Sequence, residues 1–188
     1  MTNLISRFWH NEDGVITVEA VIAIPFVALA FCAVYVFFDA YRVSTASQKA
    51  AYIVADNISR QTQAIDARFI LGLNQLHGIL ARTDAATSMR VSSIGFNDRT
   101  NRYVVIWSGD AALGPSLNDS DVNAGAIAAR LPRIKQGETL LLVETRVDYK
   151  PLFRVGIGER TFEQAVVTRP RFAPQVAFDA GLTIISQN

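Results

Sequence analysis

Glu19 is the residue of this chain whose position demands a chemical explanation. It stands near the start of an apolar run, VITVEAVIAIPFVALAFCAVYVFF, over residues 15–38. A carboxylate at the centre of a membrane span costs about 2.5–3.5 kcal/mol, and less toward the interface, where water reaches it. Solvation at the interface would remove the cost with no partner at all. A partner arises if the chain is cut after Gly14. Val15 then carries a positive α-amine four residues before Glu19, on the same helical face. Amine and carboxylate can neutralise each other within one chain or between adjacent chains. Between chains, the pair rewards a stagger that sets one N-terminus beside the next glutamate, and such pairing is strong in a low dielectric.

Other residues suggest chemistry less forcefully. His10 and His77 are the two histidines, and His77 falls in a helical stretch. No H-E-x-x-H, C-x-x-C, G-x-S-x-G or P-loop pattern occurs in the sequence. Cys32 lies inside the apolar run, so thiolate ligation of zinc outside it has no source. Gly156 and Gly158 flank Ile157, too sparse a pattern for a phosphate cradle. Asn118, Asp119, Asp121 and Asn123 crowd one loop but lack the fixed glycine and terminal glutamate of an EF-hand, which points to solvated loop residues. Arg169 and Arg171 flank Pro170, either as a docking patch or as solvated charges on an edge strand. An enzyme is not expected, nor a bound metal or cofactor.

The elements that must position these residues follow from hydropathy. The uninterrupted part of the run, residues 20–38, is 19 residues long. At about 1.5 Å per residue it reaches on the order of 28 Å, the hydrocarbon thickness of a bilayer. It exceeds a secretory h-region of about 7–15 residues, and no A-x-A-like site follows it. It is apolar all round rather than striped, unlike the core helix of a soluble domain. Pro25 removes one backbone donor, which membrane helices tolerate. Beyond the run the pattern becomes striped: Val43, Ala46, Ala50, Ile53, Val54 and Ile58 recur at helical spacing, with Ser47, Lys49, Asp56 and Arg60 on the other side. One helix is therefore predicted to continue out of the membrane and pack on its own domain. A second helix is predicted over residues 64–80.

After Arg82 the period shortens. Residues 89–96 and 102–108, separated by NDRTN, predict a β-hairpin. Residues 109–124 are predicted as a loop and 124–131 as a short helix ending before Pro132. Residues 140–149 alternate as a strand of a sheet with one wet face, and 162–169 predict a fourth strand. Helices followed by strands indicate an α+β fold, with the long N-terminal helix packed on a mostly antiparallel sheet of about four strands. The net charge of +1 excludes a global field for nucleic acid. One cysteine excludes an intramolecular disulfide. A mean hydropathy of +0.21 fits one span plus one domain.

Polar residues, Gly14, VITVE with glutamate fifth after the glycine, then an apolar helix: this order resembles the class III signal of type IV pilin-like proteins. The segment GVITVEAVIAIPFVALAF is most similar to TadE/TadF-like minor pseudopilins of the tight-adherence pilus. VDYKPLF (147–153) and TRPRF (168–172) also resemble the C-terminal half of TadE-like proteins, so the likeness covers both ends of the chain. The resemblance implies cleavage between Gly14 and Val15 by a prepilin peptidase on the cytoplasmic side. It implies an assembly role for Glu19, and partnership with other pilins and the Tad secretion machinery. It also implies a single pass through a bacterial inner membrane, with a periplasmic C-terminal domain. The N-terminal residues depart from a strongly basic pattern: Arg7 faces Glu12 and Asp13, and Arg42 and Lys49 follow the span. Orientation therefore comes from the resemblance and not from the charges.

The expected organisation is a leader over 1–14, an assembly helix over 15–38, a helical extension over 39–82 and an α+β domain over 83–188. The expected function is that of a minor pseudopilin supporting pilus assembly. The alternative is an uncleaved, membrane-anchored module that docks another envelope protein. A membrane-tethered hydrolase has no catalytic constellation to support it.

Overall fold

The computed structural model describes residues 15–179. Its first element, helix α1 (Val15–Ser59), runs for 45 residues, on the order of 68 Å at 1.5 Å per residue. No glycine interrupts it, and the helix continues through Pro25. That proline leaves the Val21 carbonyl without its usual helical donor, a local loss the rest of the helix outweighs.

The chain divides into two compact units. The first holds α1 up to Ala40 together with Pro151–Gly158. Here the helix exposes Val21, Ile22, Ile24, Phe26, Val27 and Leu29 on every side. Only 6% of its most apolar stretch is buried, which separates it from the core helix of a soluble domain. Among the described residues it is the one helix long and apolar enough to cross a membrane. The loop Pro151–Gly158 rests against its far end. Phe153 meets Tyr35 edge to face with ring centroids 6.1 Å apart. Gly156 has φ +78, and a Cβ there would stand 2.9 Å from a ring carbon of Phe37. Glycine permits both the left-handed backbone and the close approach.

The second unit holds Tyr41–Lys150 and the residues from Glu159 onward. Its four-stranded antiparallel sheet contains β2 (Thr87–Asn97), β3 (Arg102–Ala111), β4 (Leu140–Tyr149) and β5 (Arg160–Thr168), in the order β3-β2-β4-β5. The upper part of α1 packs on one face. Ala51, Val54, Ala55 and Ile58 share a core with Met89, Val91, Leu141 and Val143. Between them, the apolar side chains of the helix and of the strands form one buried cluster. The fold is α+β, with the long helix packed on the antiparallel sheet as the periodicity predicts.

The buried stripe is rotated from its sequence-based position. Ser47, assigned to the polar side, is fully buried, and Ile53, assigned to the apolar side, is 51% exposed. The buried face follows Ser47, Ala51, Val54 and Ile58. Ile53 stands about 100° away from Val54 around the helix axis.

Helix α2 (Ala67–Ala81) begins three residues later than the apolar spacing predicts. Asp66 is the reason: its side chain accepts the Phe69 N–H at 2.8 Å and caps the helix. Two-residue strands β1 (Ile65–Asp66) and β6 (Phe178–Asp179) pair in parallel, too short to leave a period in the sequence. The hairpin of β2 and β3 turns at Asn101, with φ +52, and carries a bulge between Ser93 and Ile94. Strand β3 extends to Ala111, into the stretch predicted as loop.

The rest of residues 112–139 crosses the second sheet face. It carries the short helices α3 (Asp119–Val122) and α4 (Gly125–Arg130). Leu117, Val122, Leu131 and Ile134 from this segment bury Ile94, Leu140 and Leu142. The single wet face predicted for β4 therefore applies only to its later residues. Leu140–Val143 is buried on both faces, as its unbroken apolar run allows.

Candidate functional site

The cleavage position expected from the sequence falls at the edge of the described residues. Gly14 lies outside them, and Val15 is the first residue of α1. Glu19 is exposed on the second turn of that helix. Glu19 follows the first residue of α1 by four positions, one helical turn. The neighbouring side chains Val18, Val21 and Ile22 are exposed and apolar. Among the described residues Glu19 is the one carboxylate on the apolar stretch of α1 before Asp39, and it is exposed.

Arg169 and Arg171 follow β5 rather than lying within it. Arg169 pairs with Glu138 at 3.5 Å and Arg171 with Asp56 at 2.8 Å, all four side chains being substantially exposed. The Arg171 backbone N–H also donates to the Ser59 carbonyl at 2.8 Å. Asp56 further holds Arg60 at 2.8 Å. Arg171 therefore ties the segment after β5 to the end of α1, where Ser59 offers a carbonyl that the helix itself no longer uses. Each exposed ion pair contributes about 0–1 kcal/mol.

The acidic loop has a structural use. Asp119 Oδ1 accepts the Val105 N–H at 2.7 Å, and Asn123 Oδ1 accepts the Tyr103 N–H at 3.0 Å. Asn123 Nδ2 donates to the Tyr103 carbonyl at 2.7 Å. Asn118 and Asp121 form a capping box around α3. These bonds fall on the free edge of β3, whose backbone groups would otherwise offer a template for a further strand. Among the described residues no cluster of three or more His, Cys, Asp or Glu side chains could hold a metal ion.

His77 is fully buried on α2, with Nε2 3.5 Å from the Ser47 hydroxyl and Nδ1 without a partner. Burial lowers its pKa from the ordinary 6.5, and the hydrogen bond with Ser47 works more weakly in the opposite direction. The pair has the residue types of a nucleophile and base. It lacks solvent access and a third orienting group, and the contact is at the outer limit of a hydrogen bond. The pair is not legible in the sequence, because Ser47 and His77 come from two helices and neither belongs to a motif.

One open recess of about 180 Å³ lies on the second sheet face, lined in part by Arg90, Arg130, Glu144, Arg146 and Glu163. Arg90 and Glu144, directly opposed on β2 and β4, pair at 2.7 Å in partly buried positions. Arg146 pairs with Glu163 at 2.7 Å. The guanidinium of Arg90 also donates to the Pro115 carbonyl at 2.8 Å, fastening the crossing segment. The two pairs neutralise each other's charge, and no nucleophile is poised among them.

The arrangement that remains is a helix with an exposed, apolar lower half, a single carboxylate near its start, and an upper half fixed in the core of an α+β domain. Comparison of the chain with family models, with curated proteins and with solved structures gives no match.

Proposed function

We propose that this chain is a minor pseudopilin of a tight-adherence-type pilus, a structural subunit rather than an enzyme. On this reading a prepilin peptidase cuts between Gly14 and Val15 at the cytoplasmic side of a bacterial inner membrane. The α+β domain stands in the periplasm. The mature chain then packs with other pilins through α1, under the Tad secretion machinery, with Glu19 answering the new α-amine.

The observation that carries the reading is the division of α1. Its lower half is apolar and exposed around the whole circumference, which suits lipid before assembly and neighbouring helices during it. Its upper half is built into the domain core. A glutamate placed at the fifth position after Gly14 adds what a passive anchor has no use for, since removing a charge from the span would lower its insertion cost.

N-terminal mass spectrometry of the membrane-extracted protein tests the proposal. The expected mature chain begins at Val15. A chain beginning at Met1 in cells with an active prepilin peptidase would overturn it, and would favour an uncleaved anchor for a docking domain.

A further inference from the structure

The loop Pro151–Gly158 carries a surface that neither the assembly role of α1 nor the core of the domain accounts for. Its sequence is PLFRVGIG. Leu152 is 73% exposed and Phe153 41% exposed, large apolar side chains at the tip of a loop, where polar residues are usual. Lys150 precedes the loop and Arg154 sits within it.

The position of the loop explains these residues. Phe153 packs on Tyr35 and Gly156 on Phe37. Tyr35 lies four residues before Asp39, the first charged residue after the apolar run. At 1.5 Å per residue that is about 6 Å along the helix, on the apolar side of the boundary. Apolar side chains of interfacial elements settle about 5–10 Å into the headgroup and acyl boundary, so the loop lies at that level if the run spans the bilayer. Aromatic rings cluster at the same level: Tyr35, Phe37, Phe38 and Phe153, as in the belts that mark membrane interfaces. The long cationic side chains of Lys150 and Arg154 can reach phosphate headgroups while their stems stay apolar.

We propose that Pro151–Gly158 is a second membrane-contacting element, which inserts Leu152 and Phe153 into the phospholipid interface beside the exit of α1. The occupant of this surface is lipid, because the loop extends the apolar surface of the span itself. Gly156 sets the depth: with φ +78 and no Cβ, it lets the loop approach the Phe37 ring closely. The proposal rests on the reading of α1 as a membrane span.

The test uses the full chain reconstituted in vesicles of phosphatidylethanolamine and phosphatidylglycerol, with Cys32→Ala as background. Nitroxide labels are placed singly at Leu152→Cys, at Leu29→Cys in the middle of the span, and at Ile106→Cys on the exposed surface of the sheet. Collision with oxygen, which concentrates in lipid, is compared with collision with a water-soluble nickel chelate. The expected result is a lipid-dominated signal at Leu29, a water-dominated signal at Ile106 and an intermediate, lipid-shifted signal at Leu152. Adding Gly156→Val should shift the Leu152 label toward water. Adding Gly158→Ala, where the space is open, should leave it unchanged. A lipid signal at Leu29 with Leu152 as wet as Ile106 would overturn the loop proposal alone. Water access at Leu29 would overturn the span and the loop together. Protection at Leu152 that appears only as the protein-to-lipid ratio rises would identify a second copy as the occupant and overturn lipid.

Discussion

At the scale of single residues, Glu19 and His77 illustrate opposite solutions to a polar group in apolar surroundings. Glu19 is left exposed on the helix, where another charge can reach it. Replacing it by alanine should leave membrane insertion intact, since a carboxylate hinders rather than helps insertion. On the proposed pseudopilin reading it should sharply reduce surface piliation, measured by counting filaments in cells carrying Glu19→Ala as the only copy. Normal piliation would remove the assembly role. His77 is sealed in the core instead, with one weak hydrogen bond. Its pKa in the folded chain lies below the ordinary 6.5, so the unfolded chain binds the proton more readily. The stability linked to His77 is fully present above about pH 6.5 and is lost as the pH falls toward the lowered value, with a slope of at most about 1.4 kcal/mol per pH unit. Urea midpoints of the detergent-solubilised protein between about pH 7.5 and 5 should fall more steeply for the native chain than for His77→Gln. Parallel slopes would show that His77 does not govern the change.

At the scale of elements, α1 has two characters along one axis, apolar and exposed below, packed in the core above. Its upper half obeys the period of a core helix, and the rotation of the stripe makes a sharp prediction. Ile58 is fully buried against the sheet, so Ile58→Ala should cost about 2–5 kcal/mol in unfolding free energy. Ile53→Ala removes the same atoms from an exposed site and should stay within about 0.5 kcal/mol of the native chain. Comparable losses at both positions, measured by denaturant unfolding, would contradict the observed packing. The strand β4 presents a similar division. Its first residues pack on both faces under the segment with α3 and α4, and its later ones face that recess of paired charges. The acidic loop belongs to this scale too, because its carboxylate and amides finish the edge of β3 rather than collect an ion.

At the scale of the whole molecule, one helix long and apolar enough to cross a bilayer belongs to a chain that also folds a two-sided sheet. If α1 spans the membrane, the full chain should stay with the membrane pellet after alkaline carbonate extraction and enter solution only with detergent. Release by carbonate would mark a peripheral protein and contradict the span. A chain of this design needs no disulfide, since the helix and both sheet faces supply its core.

Much of this was legible in the residues alone. The apolar run, its length, the spacing of Glu19 from Gly14, the hairpin and the strand at Leu140–Tyr149 are local patterns, set by periodicity and turn chemistry that act over a few residues. The α+β class followed from their order. What tertiary structure alone decided depends on partners distant in sequence. A helix pattern fixes an apolar side only to within about one residue's rotation. Folding buried Ser47, which meets His77 of α2, and left Ile53 exposed. Polar loop residues read as solvated until the edge of β3 gave Asp119 and Asn123 their donors. Nothing in PLFRVGIG pointed to the span until folding laid Phe153 on Tyr35 and brought Gly156 close to Phe37. Sequence spacing carries the reach of a helix turn or a strand pleat, whereas these contacts close loops of tens of residues to over a hundred, and only the folded chain brings such groups together.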